Sequence, residues 1–141
     1  RGSHYHMAVI AAKKGYINIL ELIYSSYQTS GIEQWGIIMN KAAVAGRLSV
    51  LKWGRCHNID FLGSLWVCAV AHLNVLKWLH LIYGDRGFDV KLFRAAAIHG
   101  NIQIMKWLKS VGCQWDASVY TIDSKNIYSR RWLKANGCPC E

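Results

Sequence analysis

Cys113 and Cys138 each follow a glycine and stand 25 positions apart, and Cys138-Pro139-Cys140 sets a third thiol two residues beyond. Zinc sites built on thiolates come as Cys-x2–4-Cys pairs with a second pair at a set distance. No second pair exists here, so no metal is expected, and a small buried thiol accounts for both residues. The histidines His4, His6, His57, His72, His80 and His99 are scattered, and no Ser, Cys or Asp stands in a motif that would make one a catalytic base. The eight acids form no pair in register, and neither a Gly-x-Gly-x-x-Gly turn nor a P-loop occurs. No catalytic residue, no cofactor and no enzyme activity are expected.

Two further sets could do chemistry by binding. Trp53, Trp78, Trp107 and Trp132 recur as a ladder. Such a ladder is either a stacking platform for bases or sugars or a core element filling the slot between successive helices. Aromatics at helical spacing are usually core, which favours the second reading. Lys52, Lys77, Lys106 and Arg131 each precede one of these tryptophans, forming a basic row with neighbours ~10 Å apart in a stacked array. A row of that kind contacts phosphates or simply keeps a helix back in water, and solubility is the commoner reason. Seventeen Lys and Arg against eight acids give a net charge of +9, but only Lys13-Lys14 and Arg130-Arg131 are adjacent basic pairs. Nucleic-acid binding is therefore expected to be weak and non-specific at most.

The elements that position these residues repeat. Ser49-Val50-Leu51-Lys52-Trp53, Asn74-Val75-Leu76-Lys77-Trp78, Gln103-Ile104-Met105-Lys106-Trp107 and Ser129-Arg130-Arg131-Trp132 are variants of one phrase, and Asn18-Ile19-Leu20-Glu21-Leu22 is a weaker copy. Their centres, Leu20, Leu51, Leu76, Met105 and Arg130, are 31, 25, 29 and 25 residues apart, the spacing of a solenoid. Nine positions before each centre stand Ala11-Ala12, Ala42-Ala43, Val67-Cys68, Ala96-Ala97 and Thr121-Ile122, pairs whose small members let helices approach. Between pair and phrase lies a turn position, occupied by Gly15, Gly46, Ala71, Gly100 and Lys125; glycine there ends a helix in the left-handed conformation. Each unit predicts helix, tight turn, helix and loop, with loops at 25–34, 57–63, 83–90 and 111–117.

Residues 96–116, Ala96-Ala97-Ile98-His99-Gly100-Asn101-Ile102 through Met105-Lys106-Trp107 to Gly112-Cys113-Gln114-Trp115-Asp116, resemble an ankyrin repeat, and Ala135-Asn136-Gly137-Cys138-Pro139 repeats its loop. The likeness is closest to the short, Trp-rich ankyrin variety of giant DNA viruses and some protists, and it covers about residues 7–141. It implies an all-α, ankyrin-like helix-turn-helix solenoid of about five repeats. The Thr-Pro-Leu-His opening of the standard repeat is absent, and the spacing falls below the usual ~33, so short loops are expected in place of long β-hairpin fingers. The resemblance also implies a buried leucine at the tryptophan position, and alanine or cysteine at the position of Cys113 and Cys138.

Residues 1–6 read as a tag remnant or flank, and 7–141 as a single repeat domain with units at about 7–36, 37–62, 63–90, 91–116 and 117–141. Hydrophobic residues make up 52 % of the chain with one proline, which excludes disorder and suits helices. No apolar run reaches the ~18 residues of a membrane span, and no signal peptide is visible. Five cysteines, an odd number, point to free thiols in a reducing, intracellular compartment: host cytoplasm or nucleus if the lineage is viral, or the virion. The chain starts inside one unit and stops where another loop would begin, so either a longer parent protein or a domain whose ends pack on something else is expected. The expected function is non-catalytic protein–protein recognition through a concave face and variable loops. Tyr27, His57, Asn58, Asp60, Asp85, Arg86, Gln114 and Trp115 are the candidate partner-binding residues. The other classes in play are nucleic-acid binding through Lys52, Lys77, Lys106 and Arg131, and a structural part in a larger assembly.

Overall fold

The structure, a computed structural model, describes residues 2–26, 32–121 and 127–139. It is all-helical: among the described residues there is no strand, and no helix is long and apolar enough to cross a membrane. The elements are α1 Gly2–Lys14, α2 Ile17–Ser26, α3 Ile32–Val44, α4 Leu48–Cys56, α5 Leu65–Cys68, α6 Leu73–Tyr83, α7 Val90–His99, α8 Ile102–Ser110, the 3-10 turn η1 Ala117–Thr121 and α9 Ile127–Ala135. They fall into two compact units, Arg1–Val75 and Leu76–Glu141, whose limit lies within α6.

In the first unit α1 packs on α2 and α3, α3 packs on α4 and α5, and α2 packs on α4. This gives a layer of first helices over a layer of second helices. The small pairs Ala11-Ala12 and Ala42-Ala43 are fully buried, as close helix packing requires. Leu20, Met39, Val50, Leu51 and Leu65 complete the core. Gly54 is also a packing residue, since a Cβ there would stand 2.5 Å from the Met39 sulfur. In the second unit α7 packs on α8, η1 and α9, and α8 packs on α9, around Leu92, Phe93, Ala96, Ile104, Met105, Leu108 and Leu133. Ser129, at the register of Val50 and Ile104, is buried and donates its hydroxyl to the Ala97 carbonyl at 2.8 Å.

The turns follow the glycines. Gly15, Gly46 and Gly100 all have φ between +71° and +80°, and the residue after each donates its N–H back five positions to Ala11, Ala42 and Ala96. These 6→1 bonds satisfy carbonyls that a helix end leaves unpaired. Ala71 departs from this, because it does not adopt a left-handed conformation. There α5 is only four residues long, and the buried small residues are Ala69 and Val70 rather than the expected Val67 and Cys68, of which Val67 is exposed. The second helices end in the same way: Asn58 (φ 58°), Gly112 and Gly137 are left-handed, and Ile59, Cys113 and Cys138 bond back to Gly54, Leu108 and Leu133. The expected turn at Lys125 lies outside the described residues. The expected unit limit at 36/37 falls within α3, and α1 runs back through Ser3–His6.

Candidate functional site

Three of the ladder's tryptophans each pack on an aromatic ring from the preceding helix pair: Trp53 on Tyr24 of α2, Trp107 on His80 of α6 and Trp132 on Phe93 of α7. Trp53 meets Tyr24 at 5.7 Å and Trp35 at 5.6 Å between ring centroids, and Tyr24 meets Trp35 at 5.4 Å. Trp35 and Trp53 are 5 % and 8 % exposed. Rings this close, in edge contact, leave no room between them for a ligand. Glu21 closes the cluster, accepting the Trp53 indole N–H at 2.8 Å and facing His57 Nε2 at 3.2 Å. The hydrogen bond from Trp53, then the His57 ring, hold its carboxyl below the usual range. Glu21 occupies the repeat position at which Lys52, Lys77, Lys106 and Arg131 stand, so the first repeat departs from the basic row with an acid that binds the next tryptophan.

In the second unit Trp107 meets His80 at 5.7 Å and Phe88 at 5.6 Å, while His80 stacks on Phe88 at 4.8 Å. Trp132 meets Trp115 at 6.0 Å and Phe93 at 6.3 Å, and Lys109 lies 4.0 Å over the Trp115 ring. Trp78, Trp107 and Trp132 are half-buried. None of the ladder's rings is fully exposed as a stacking platform would need.

Cys113 and Cys138 are buried at equivalent helix ends, each directing its thiol at a backbone carbonyl of the preceding loop, Asp89 at 3.5 Å and Asp116 at 3.7 Å. Burial, then the nearby Asp89 and Asp85 carboxylates, push the Cys113 thiol up to about 12. A thiol so held stays protonated at neutral pH and is a poor nucleophile, and among the described residues no group of three His, Cys, Asp or Glu is placed to hold a metal ion.

The sequence-predicted partner-binding residues fall in three places. His57, Asn58 and Asp60 follow α4: the His57 ring packs 4.6 Å from Trp53 and 4.7 Å from Tyr24, Asn58 forms the left-handed turn, and Asp60 is exposed. Asp85 and Arg86 are exposed after α6, Asp85 standing 3.8 Å from His80. Gln114 is exposed, whereas Trp115 is half-buried against Phe93 and Trp132. Tyr27 lies outside the described residues. His57 and Trp115 thus also make ring contacts and Asn58 also forms a turn, while Asp60, Asp85, Arg86 and Gln114 present exposed side chains. Lys52, Lys77, Lys106 and Arg131 are all exposed, Lys52 in the first unit and the others in the second. Beside Gln114, Asp116 accepts from the Ser118 hydroxyl and, at 2.8 Å, from its N–H, and those bonds hold its carboxyl low. Arg94 donates to the same Ser118 hydroxyl at 3.0 Å.

No family model, curated protein or solved structure matches this chain.

Proposed function

We propose that this chain is an ankyrin-like repeat module whose work is non-catalytic recognition of another protein. The observation that carries this reading is a division of labour within each unit. Repeat-equivalent residues perform equivalent scaffold roles, Gly15 and Gly46 as left-handed turns and Cys113 and Cys138 as buried thiols on backbone carbonyls, while the loops present different exposed side chains at Asp60, Asp85, Arg86 and Gln114. A uniform scaffold with variable exposed positions is how repeat proteins build extended binding surfaces. Binding to a host or virion protein, in the cytoplasm, nucleus or particle, follows if the lineage is viral, and that rests on the resemblance of residues 96–116 alone. The experiment is affinity capture from the native cell or virion with wild type and a quadruple variant, Asp60→Ala, Asp85→Ala, Arg86→Ala and Gln114→Ala, each eluate analysed by mass spectrometry. One protein retained by wild type and lost by the variant is the expected result. Retention of nucleic acid alone would overturn the reading and favour the exposed Lys52, Lys77, Lys106 and Arg131.

A further inference from the structure

Aligning the first helices on their small pairs brings three outward positions into register, spaced i, i+4 and i+7. They are His6, Ile10 and Lys13 on α1, and Ile37, Lys41 and Val44 on α3; α7 repeats the pattern with Lys91, Ala95 and Ile98. Eight of the nine are exposed and Ala95 is half-exposed. The spacing puts each triplet on one helix face. In the first unit α2 and α4 form the opposite layer, so the α1 and α3 triplets look away from it, side by side. None of the nine positions is acidic, and the one acid in these three helices, Glu33, precedes Ile37 by a turn.

From this face we infer a docking surface for an acidic segment that presents apolar side chains. The inference rests on the interaction-module reading and names its partner's chemistry. Ile10, Ile37 and Val44 are 56 %, 41 % and 57 % exposed, apolar area that only an apolar partner removes from water. Lys13 and Lys41 stand among them, with Lys14 exposed alongside, so the complementary surface carries carboxylates around its apolar residues. Two helices ~8–10 Å apart, each with a triplet spanning ~10 Å, match about two turns of an amphipathic helix. A phosphate backbone would meet the lysines but leave the isoleucines and valine exposed, so a protein segment fits this face and a nucleic acid does not.

The test uses the full chain and a fluorescein-labelled helical peptide with Leu at i, i+4 and i+7 and Glu on its flanks, read by fluorescence anisotropy. Wild type should bind it at least ~10-fold more tightly than the same peptide with Ser for Leu. The double variant Lys13→Glu, Lys41→Glu should lose the Glu peptide by ~10-fold or more and gain the matching Lys/Leu peptide, a reversal that misfolding cannot produce. Leu22→Ser, on exposed α2, should leave binding unchanged. Equal binding of the Ser peptide, equal loss in Leu22→Ser, absence of the reversal, or competition by a single-stranded oligonucleotide at the peptide's own concentration would each overturn the inference. A captured native protein whose binding ignores the double variant would also defeat it, while leaving the interaction-module reading intact.

Discussion

The Arg47 side chain donates its Nε–H to the carbonyl of Lys13 at 2.7 Å, reaching back over Gly15 to the end of α1. One repeat later His72 does the same, donating Nε2–H to Val44 at 2.9 Å over Gly46. Lys13 and Val44 are equivalent positions, as are Gly15 and Gly46, and Arg47 and His72. Each polar side chain satisfies a carbonyl that a helix C-terminus leaves open, and the glycine beneath it leaves the space.

The two glycines therefore differ in cost when filled. A Cβ on Gly15 would meet Arg47 at 3.6 Å, ordinary contact, whereas one on Gly46 would stand 2.5 Å from the His72 ring. Gly15→Ala should cost about 1–2 kcal/mol, the strain of a left-handed side chain. Gly46→Ala should cost about 1 kcal/mol more, because the His72 hydrogen bond is displaced as well. Urea denaturation of both variants measures the difference, and equal losses would show that His72 is not seated over Gly46.

Glu21 makes part of the stability depend on pH. Its folded carboxyl is held below the ordinary value of 4.5, chiefly by the Trp53 indole. A depressed folded value stabilises above the unfolded one and is lost as pH falls through the folded one. Wild type should therefore lose more stability than Glu21→Gln between about pH 6 and about pH 3. The comparison cancels Asp116, which is also held low and titrates in the same window. Parallel pH profiles for the two proteins would refute a role for the Glu21 charge.

The helix pairs and their glycine turns were legible because each rests on local chemistry: a small pair, a residue free to turn left-handed, and an amphipathic phrase. The third pair was misread where that chemistry thins out. Ala71 gives no left-handed turn, α5 is short, and the buried small pair lies beyond it at Ala69 and Val70. Asn58 also has a backbone role that its register announces: it stands seven positions after Leu51, as Gly112 stands after Met105, and asparagine tolerates the left-handed region. Glu21 and Tyr24 were missed as partners of Trp53, because ring contacts between residues some thirty positions apart have no sequence period of their own. The signal available for Glu21 was an acid in an otherwise basic register.

The ladder should be graded by burial. Trp53→Ala, emptying a nearly closed site, should cost about 3–5 kcal/mol. Trp107→Ala should cost about 2 kcal/mol, because its ring is half-exposed and loses less burial. The same denaturation experiment orders them. The reverse order would place Trp53 outside the Tyr24–Trp35 cluster.

Thiol labelling separates the cysteines. Cys56 is exposed and should react with iodoacetamide first at neutral pH. Cys113, protonated up to about pH 12 in the folded chain, and buried Cys138 should react only on unfolding, each followed by peptide mass spectrometry. Because its folded value is raised, the Cys113 contribution to stability is full below the ordinary 9.0 and lost as pH climbs toward about 12. A chelator should leave the far-UV circular dichroism and the melting temperature unchanged. Rapid labelling of Cys113 in the native protein would contradict the buried placement.

The exposed Lys52, Lys77, Lys106 and Arg131 leave one partner class to measure directly. Contacts to phosphates release counterions, so any affinity for DNA or RNA that they supply should fall steeply with salt. No base-reading side chain accompanies them, which sets the expected dissociation constant at about 10⁻⁴–10⁻⁶ M at physiological salt, independent of sequence. Replacing all four by Gln should abolish that binding and flatten its salt dependence, while the acidic Leu-bearing peptide, held by Lys13 and Lys41 on the first helices, should bind as before. Titrating labelled oligonucleotides of several sequences at two salt concentrations decides the matter. Tight, sequence-selective binding that survives physiological salt would make nucleic acid the partner and displace protein recognition as the proposed function.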